Sequence, residues 1–130
     1  FHPEVSLFTE LVLEIVKKYS IQRRVTVQSF DFRVLQHINN YFPDIKLSLL
    51  VSENYNVKNN LTELGFNPSI FSPEFIYLNK EDVKYLKEKK IKIIPWTVNS
   101  YSDIANVLKY DIDGIISDYP DRVIKLKKLK

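Results

Sequence analysis

The chain has 130 residues, one ordinary domain's worth, and at 45% hydrophobic and 13% aromatic it can enclose a core. With no cysteine it has neither a disulfide framework nor a thiolate metal site, and a net charge of +3 without a basic aromatic face argues against nucleic acid. No apolar run approaches the ~18 residues that span a bilayer, and two glycines are too few for a Gly-rich phosphate loop.

The chain opens on Phe1-His2-Pro3-Glu4, neither an initiator methionine nor a secretion signal, as expected of a processed or excised piece; its cellular location is unknown from the sequence. From Leu7 to Tyr19 the apolar positions Phe8, Leu11, Val12, Ile15, Val16 and Tyr19 recur at three and four, which predicts a helix with that face inward. In "RRVTVQSF" the period changes to two, a strand. Asp31 is placed to cap the next helix, whose stripe is Phe32, Leu35, Ile38 and Phe42 and which Pro43-Asp44 stops.

The pattern then repeats. A strand at 45–52 precedes a short helix from Asn56 to Leu64, closed by Gly65. Residues 69–79 hold a short strand and an irregular loop. Asn79, with Asp82 three residues on, opens a helix running to Lys89. "IKIIPWTV" is a strand, and Ser102 is the expected cap of a helix over Ile104, Val107 and Leu108. "GIISD" at 114–118 is a fifth strand, followed by a helix that Pro120 begins. That last helix carries Lys125, Lys127, Lys128 and Lys130 beside Leu126 and Leu129, an amphipathic tail with solvated lysines. Strands alternating with helices imply parallel βα units, about five of them behind one leading helix.

The two faces of these strands differ. Val25 and Val27 oppose Thr26, Gln28 and Phe30. Ile45, Leu47, Leu49 and Val51 oppose Lys46, Ser48, Leu50 and Ser52. Ile91 and Ile93 oppose Lys92, Ile94 and Trp96. An open doubly wound sheet of the flavodoxin type is apolar on both faces. One aliphatic and one mixed face suit a barrel with helices outside and a partly polar lumen. Phe30 and Trp96, near the carboxyl ends of their strands, then become apolar walls of a cavity, with Gln28 pointing the same way.

The blocks "RVTVQSFD" (24–31), "FPDIKLSLL" (42–50), "IIPWTVNS" (93–100) and "DGIISDYPDRVI" (113–124) resemble, in order and spacing, the glycerophosphodiester phosphodiesterase family over nearly the whole chain. The resemblance implies a (β/α)8 barrel and divalent-metal-dependent hydrolysis of glycerophosphodiesters to glycerol phosphate and an alcohol, with Ca²⁺ or Mg²⁺ and cationic groups taking the charge of the transition state. The family's His-Arg-Gly and His-Asp blocks are absent here, and no Glu-x-Lys lies in a strand before Val25. Residues 1–130 therefore read as the carboxy-terminal portion of such a barrel, with no catalytic residue and no metal ligand of its own, and inactive alone. His2 and His37 are expected to be incidental.

By that resemblance Phe30 and Trp96 line the substrate pocket, with Gln28 and Asn99 beside them. Asp118 is more a helix cap than a site residue, and Asp111 and Asp113 are turn residues. Lys89-Lys90 and Tyr110-Asp111 stand where the family commonly has glycine. The alternative is a non-catalytic half-barrel that binds or assembles, with self-association through its open sheet edges.

Overall fold

The computed structural model describes residues 4–53 and 55–127. His2, Lys128, Leu129 and Lys130 lie outside them. Helix α1 (Val5–Lys18) leads into β1 (Thr26–Ser29), α2 (Phe32–Tyr41), β2 (Lys46–Val51), α3 (Val57–Leu64), β3 (Ile70–Pro73), α4 (Lys80–Glu88), β4 (Lys92–Ile93), α5 (Tyr101–Val107) and α6 (Pro120–Lys127). The strands pair in chain order, β1-β2-β3-β4, all parallel. No described helix is long and apolar enough to cross a membrane.

The sheet divides its residues as alternation predicts. Ile45, Leu47, Leu49, Val51, Phe71, Ile91 and Ile93 are buried under the helices. Thr26, Gln28, Lys46 and Lys92 are exposed on the other face. In register, Gln28 lies beside Ser48, Ser48 beside Ile70, and Ile70 beside Lys92. Buried Ser48 and Ser72 on this face join Oγ to Oγ at 3.0 Å, so neither hydroxyl is left unpaired. Helices thus cover one face only, and the chain forms about half of a (β/α)8 barrel rather than a two-faced open sheet.

The fifth expected strand is an extended segment without a regular ladder. Asp113 N donates to Ile93 O and Ile116 N to Pro95 O, while Val98 N donates to Ile116 O, all at 2.9 Å. It runs alongside the exit of β4, yet Pro95 has no N–H to donate across, so the two do not pair continuously. The described sheet therefore has four strands where five were expected.

Most helix starts are where their caps put them. The carboxamide or carboxylate oxygens of Asp31, Asn56 and Asn79 accept from the backbone N–H of Arg33, Asn59 and Asp82. The cap of α5 is Ser100, whose Oγ accepts from Asp103 N at 3.0 Å, and not Ser102, which lies inside the first turn. The Ser100 hydroxyl in turn donates to Asp103 Oδ2, which fixes Ser100 as the cap.

Helix α1 corrects a second expectation. Its buried residues are Thr9, Leu13 and Val16. Phe8, Leu11, Ile15 and Tyr19, with Leu7, are instead 47–64% exposed. The helix is apolar around more than half its circumference, and α2 covers only one part of that arc. The periodicity was real but did not say which flank meets the core.

Candidate functional site

The site-forming end of a parallel α/β unit is the carboxyl end of its strands. There β1 passes through Ser29 into Phe30 and Asp31. Asp31 is committed locally. Its Oδ1 accepts from Arg33 N at 2.9 Å and its Oδ2 pairs with the Arg33 guanidinium at 2.6 Å, a bond that holds the carboxyl below its ordinary range. Phe30 is left half-exposed at the rim.

Beyond β4, Trp96 is fixed from several directions. Its backbone N–H donates to Pro73 O and its carbonyl accepts from Phe75 N, which sets it beside Glu74 at the end of β3. Its indole Nε1 donates to Ser72 O at 2.8 Å. Its ring meets Phe30 edge-on, centroids 5.4 Å apart at 90°, the geometry that the ring quadrupoles favour. β1 and β4 are the outer strands of the four, and in a flat sheet their backbones stand about 14 Å apart. Rings from the two flanks meeting over the middle strands mark this face as concave, with the Ser48–Ser72 pair as its floor. The indole lies on the open face and not among the helices.

Gln28 stands one residue pair below Phe30 on the same exposed face. Asn99 is engaged within the chain. Its Oδ1 accepts from Asp118 N at 2.9 Å and from Ser117 Oγ at 3.2 Å, and its Nδ2 donates to Asp118 Oδ2 at 2.7 Å. Its carbonyl accepts from Arg122 Nη1 at 2.8 Å, and that guanidinium lies 3.8 Å from the Tyr119 ring centroid. Asn99 thus ties the rim loop after β4 to the last extended segment and to α6. Asp118 is part of that tie. The structure brings Phe30 and Trp96 together, leaves Gln28 free on the shared face, and sets Asn99 to one side.

The sequence reading passed over Glu74, Ser72 and Arg122. Ser72 and Glu74 share a face by alternation, but Pro73 between them breaks the strand pattern that would have exposed the pair. Asp113 is more than a turn residue. Its Oδ2 accepts from Ile93 N at 2.9 Å and meets Lys87 Nζ at 3.1 Å. Partial burial pushes its carboxyl up, yet the Ile93 N–H, Lys87 and Lys92 outweigh burial and hold it below the usual aspartate value. His37 sits half-buried on α2, its ring 4.8 Å from that of Tyr41. Among the described residues no group of three or more His, Asp or Glu stands together to hold a metal ion. The donors present do not fit the divalent metal that the family resemblance implies.

Comparison with known proteins bears on the family and the fold. The chain is 27% identical over 121 residues to a glycerophosphodiester phosphodiesterase of Caldanaerobacter subterraneus, an alignment covering 90% of this chain and 48% of that protein. It is 31% identical over 123 residues to a glycerophosphodiester phosphodiesterase of Bacillus altitudinis, covering 92% and 49%. The crystal structure of a glycerophosphodiester phosphodiesterase from Parabacteroides distasonis superposes with a TM-score of 0.84 at 20% identity, covering 100% of this chain and 56% of the other, and shows the shared fold. The chain spans about half the length of the curated relatives it matches. Residues 2–122 match the Glycerophosphoryl diester phosphodiesterase family, and the chain belongs to that family.

Proposed function

We propose that this chain supplies the apolar, substrate-holding half of a barrel that hydrolyses glycerophosphodiesters to glycerol phosphate and an alcohol. The observation that carries this is the Phe30–Trp96 pair, edge to face at the carboxyl rim of a concave sheet, in a chain of this family. In this reading Phe30 and Trp96 pack against the glycerol carbons and exclude water, and Gln28 donates from the same face to a substrate oxygen. Asn99 shapes the rim by holding the segment at Asp118. A divalent metal, Ca²⁺ or Mg²⁺, would supply charge neutralisation at the phosphate. The acid–base groups and metal ligands would come from the other half of the barrel.

The test is a chimera in which this chain replaces the corresponding half of the Bacillus altitudinis relative. Metal-dependent hydrolysis of glycerophosphodiesters is expected, falling at least about tenfold on Trp96→Ala, the rate equivalent of losing ~1.4 kcal/mol of positioning. A folded chimera that hydrolyses none of them overturns the reading.

A second reading has its own observation. Leu7, Phe8, Leu11 and Ile15 present an open apolar stripe on α1, and β1 is an edge strand. A half-barrel that assembles with another chain through these surfaces needs no chemistry of its own. A monomeric solution mass at high concentration would end this alternative.

A further inference from the structure

All four strands run the same way and the helices between them run back, so strand starts and helix ends gather at one pole, opposite the rim. That pole is basic. Arg23 and Arg24 stand in the turn before β1, Lys46 and Lys92 open β2 and β4, and Lys89 and Lys90 follow α4, all of them exposed. Lys17 and Lys18 close α1 at the same end. The acids here are Asp44, Glu63, Glu88, Asp111 and Asp113, and Lys87 takes the last two. None of Arg23, Arg24, Lys46, Lys90 and Lys92 is in an ion pair among the described residues, though Lys92 lends its charge to Asp113.

The rim pole instead carries Glu53, Glu74, Glu81, Asp103, Asp118 and Asp121 against Lys58, Lys80 and Arg122, beside the Asp31–Arg33 pair. Helix dipoles draw acids to helix starts and bases to helix ends, which accounts for Lys17, Lys18, Glu81, Asp103 and Asp121. They do not account for Arg23, Arg24, Lys46 or Lys92, which stand on a turn and on strands. A small net charge of +3 thus divides into two unlike ends.

Apolar groups accompany the basic pole. Tyr19 and Tyr41, at the ends of α1 and α2, are 64% and 68% exposed, more than any other large apolar side chain among the described residues. Between those helix ends a cleft of about 270 Å³ is lined by Leu13, Tyr41, Phe42, Pro43 and Ile45, with Lys17, Gln22 and Asp44 as its polar groups. Lys17 Nζ lies 4.3 Å from the Phe42 ring centroid, a cation held against the apolar wall.

We propose that this pole docks on an anionic bilayer surface and turns the rim toward the water. Each basic side chain near an anionic leaflet adds attraction, and exposed tyrosines seat at the headgroup level. A protein interface is depleted in lysine. A nucleic-acid site stacks bases on rings set along a basic groove, whereas here the rings flank an apolar cleft. The docking face does not rest on the phosphodiesterase reading, which stands or falls separately.

The test sediments the 130-residue chain with vesicles of phosphatidylcholine, or of phosphatidylcholine and phosphatidylserine in equal parts. Binding is expected only to the mixed vesicles, and it should fall as salt is added. Arg23→Gln/Arg24→Gln and Lys46→Gln/Lys92→Gln, all at exposed positions, should each weaken it at least about tenfold. Lys58→Gln/Lys80→Gln, at the rim pole, should leave it unchanged. Equal binding to both vesicles, no binding to either, or the same loss in the rim-pole variant would overturn the proposal. So would polyglutamate or a single-stranded oligonucleotide that binds the chain more tightly than the mixed vesicles do, since that assigns the pole to an acidic protein or to nucleic acid.

Discussion

Asp113 shows how one side chain joins separate segments. Its carboxylate takes the Ile93 N–H while its own N–H donates back to Ile93 O, so β4 and the last segment are clamped at one point. Its folded-state acidity is stronger than that of an unfolded aspartate. The clamp therefore contributes fully above the ordinary aspartate pKa of about 4, and its contribution is lost as pH falls through the lower folded value. Asp113→Asn should cost about 1–2 kcal/mol near neutrality. That deficit should shrink toward zero in acid, where the wild-type carboxyl is also protonated. Urea midpoints across a pH series check this. Asn99 is the companion case. Three side-chain hydrogen bonds and a backbone one hold it to Ser117, Asp118 and Arg122. Asn99→Ala should lower stability by about 1–3 kcal/mol, read as a lower unfolding midpoint. The meeting of Phe30 and Trp96 was legible because alternation places both on the polar face. The bonds of Asn99 were not, because its partners lie 18 to 23 positions away, beyond the reach of local pattern.

At the scale of elements, starts were easier to read than ends. Asp31, Asn56 and Asn79 are short acceptors placed just before apolar periods, and each is a cap. Gly65, at φ 80°, likewise announced the end of α3. Helices α1 and α4 end in the same left-handed way without glycine. Ser20 and Lys90 take φ of 53° and 59°. Behind them Ile91 N donates to Leu86 O and Lys90 N to Lys87 O, with Ile21 to Val16 and Ser20 to Lys17 repeating the pattern. This paired closure forces the positive φ whatever residue stands there, so a reader looking for glycine passes over it. Lys90 carries the steric cost, and Lys90→Gly should raise stability by up to about 1 kcal/mol, seen as a higher thermal midpoint. The faces of α1 yield a sharper contrast. Leu13 is 1% exposed and Leu11 52%. Leu13→Ala should cost about 2–5 kcal/mol by opening a cavity, and Leu11→Ala less than about 0.5 kcal/mol, as chemical denaturation of the two variants will show. Helical spacing named Leu11 and passed over Leu13, since which flank is buried depends on where the neighbour, α2, packs.

For the whole molecule, the barrel class was legible because one strand face reads aliphatic and the other mixed, and a four-stranded parallel sheet with helices on one side is what that asymmetry builds. The loss of the fifth strand's regularity was not legible, because only the fold sets that segment beside Pro95, which has no N–H to continue the ladder after the Asp113–Ile93 bond. The same global view decides what the chain can do alone. Phosphodiester cleavage needs charge neutralisation at the phosphate together with an acid and a base within hydrogen-bond reach. Among the described residues, Gln28, Lys46, Ser48, Ser72, Glu74, Lys92 and two aromatic rings stand on the concave face, and the one carboxylate among them has neither a basic partner nor further metal donors. His37 is turned toward Tyr41 on a helix, and the carboxylates of Asp31, Asp113 and Asp118 are already bound to Arg33, Lys87 and Asn99. Positioning without these groups leaves the chemical barrier in place. The isolated chain, given Mg²⁺ or Ca²⁺ and glycerophosphocholine, should therefore release glycerol phosphate no faster than buffer does, while its Trp96 fluorescence still reports a folded rim. A coupled glycerol phosphate assay checks this, and metal-stimulated turnover that disappears in Trp96→Ala would mean that the described residues hold chemistry of their own.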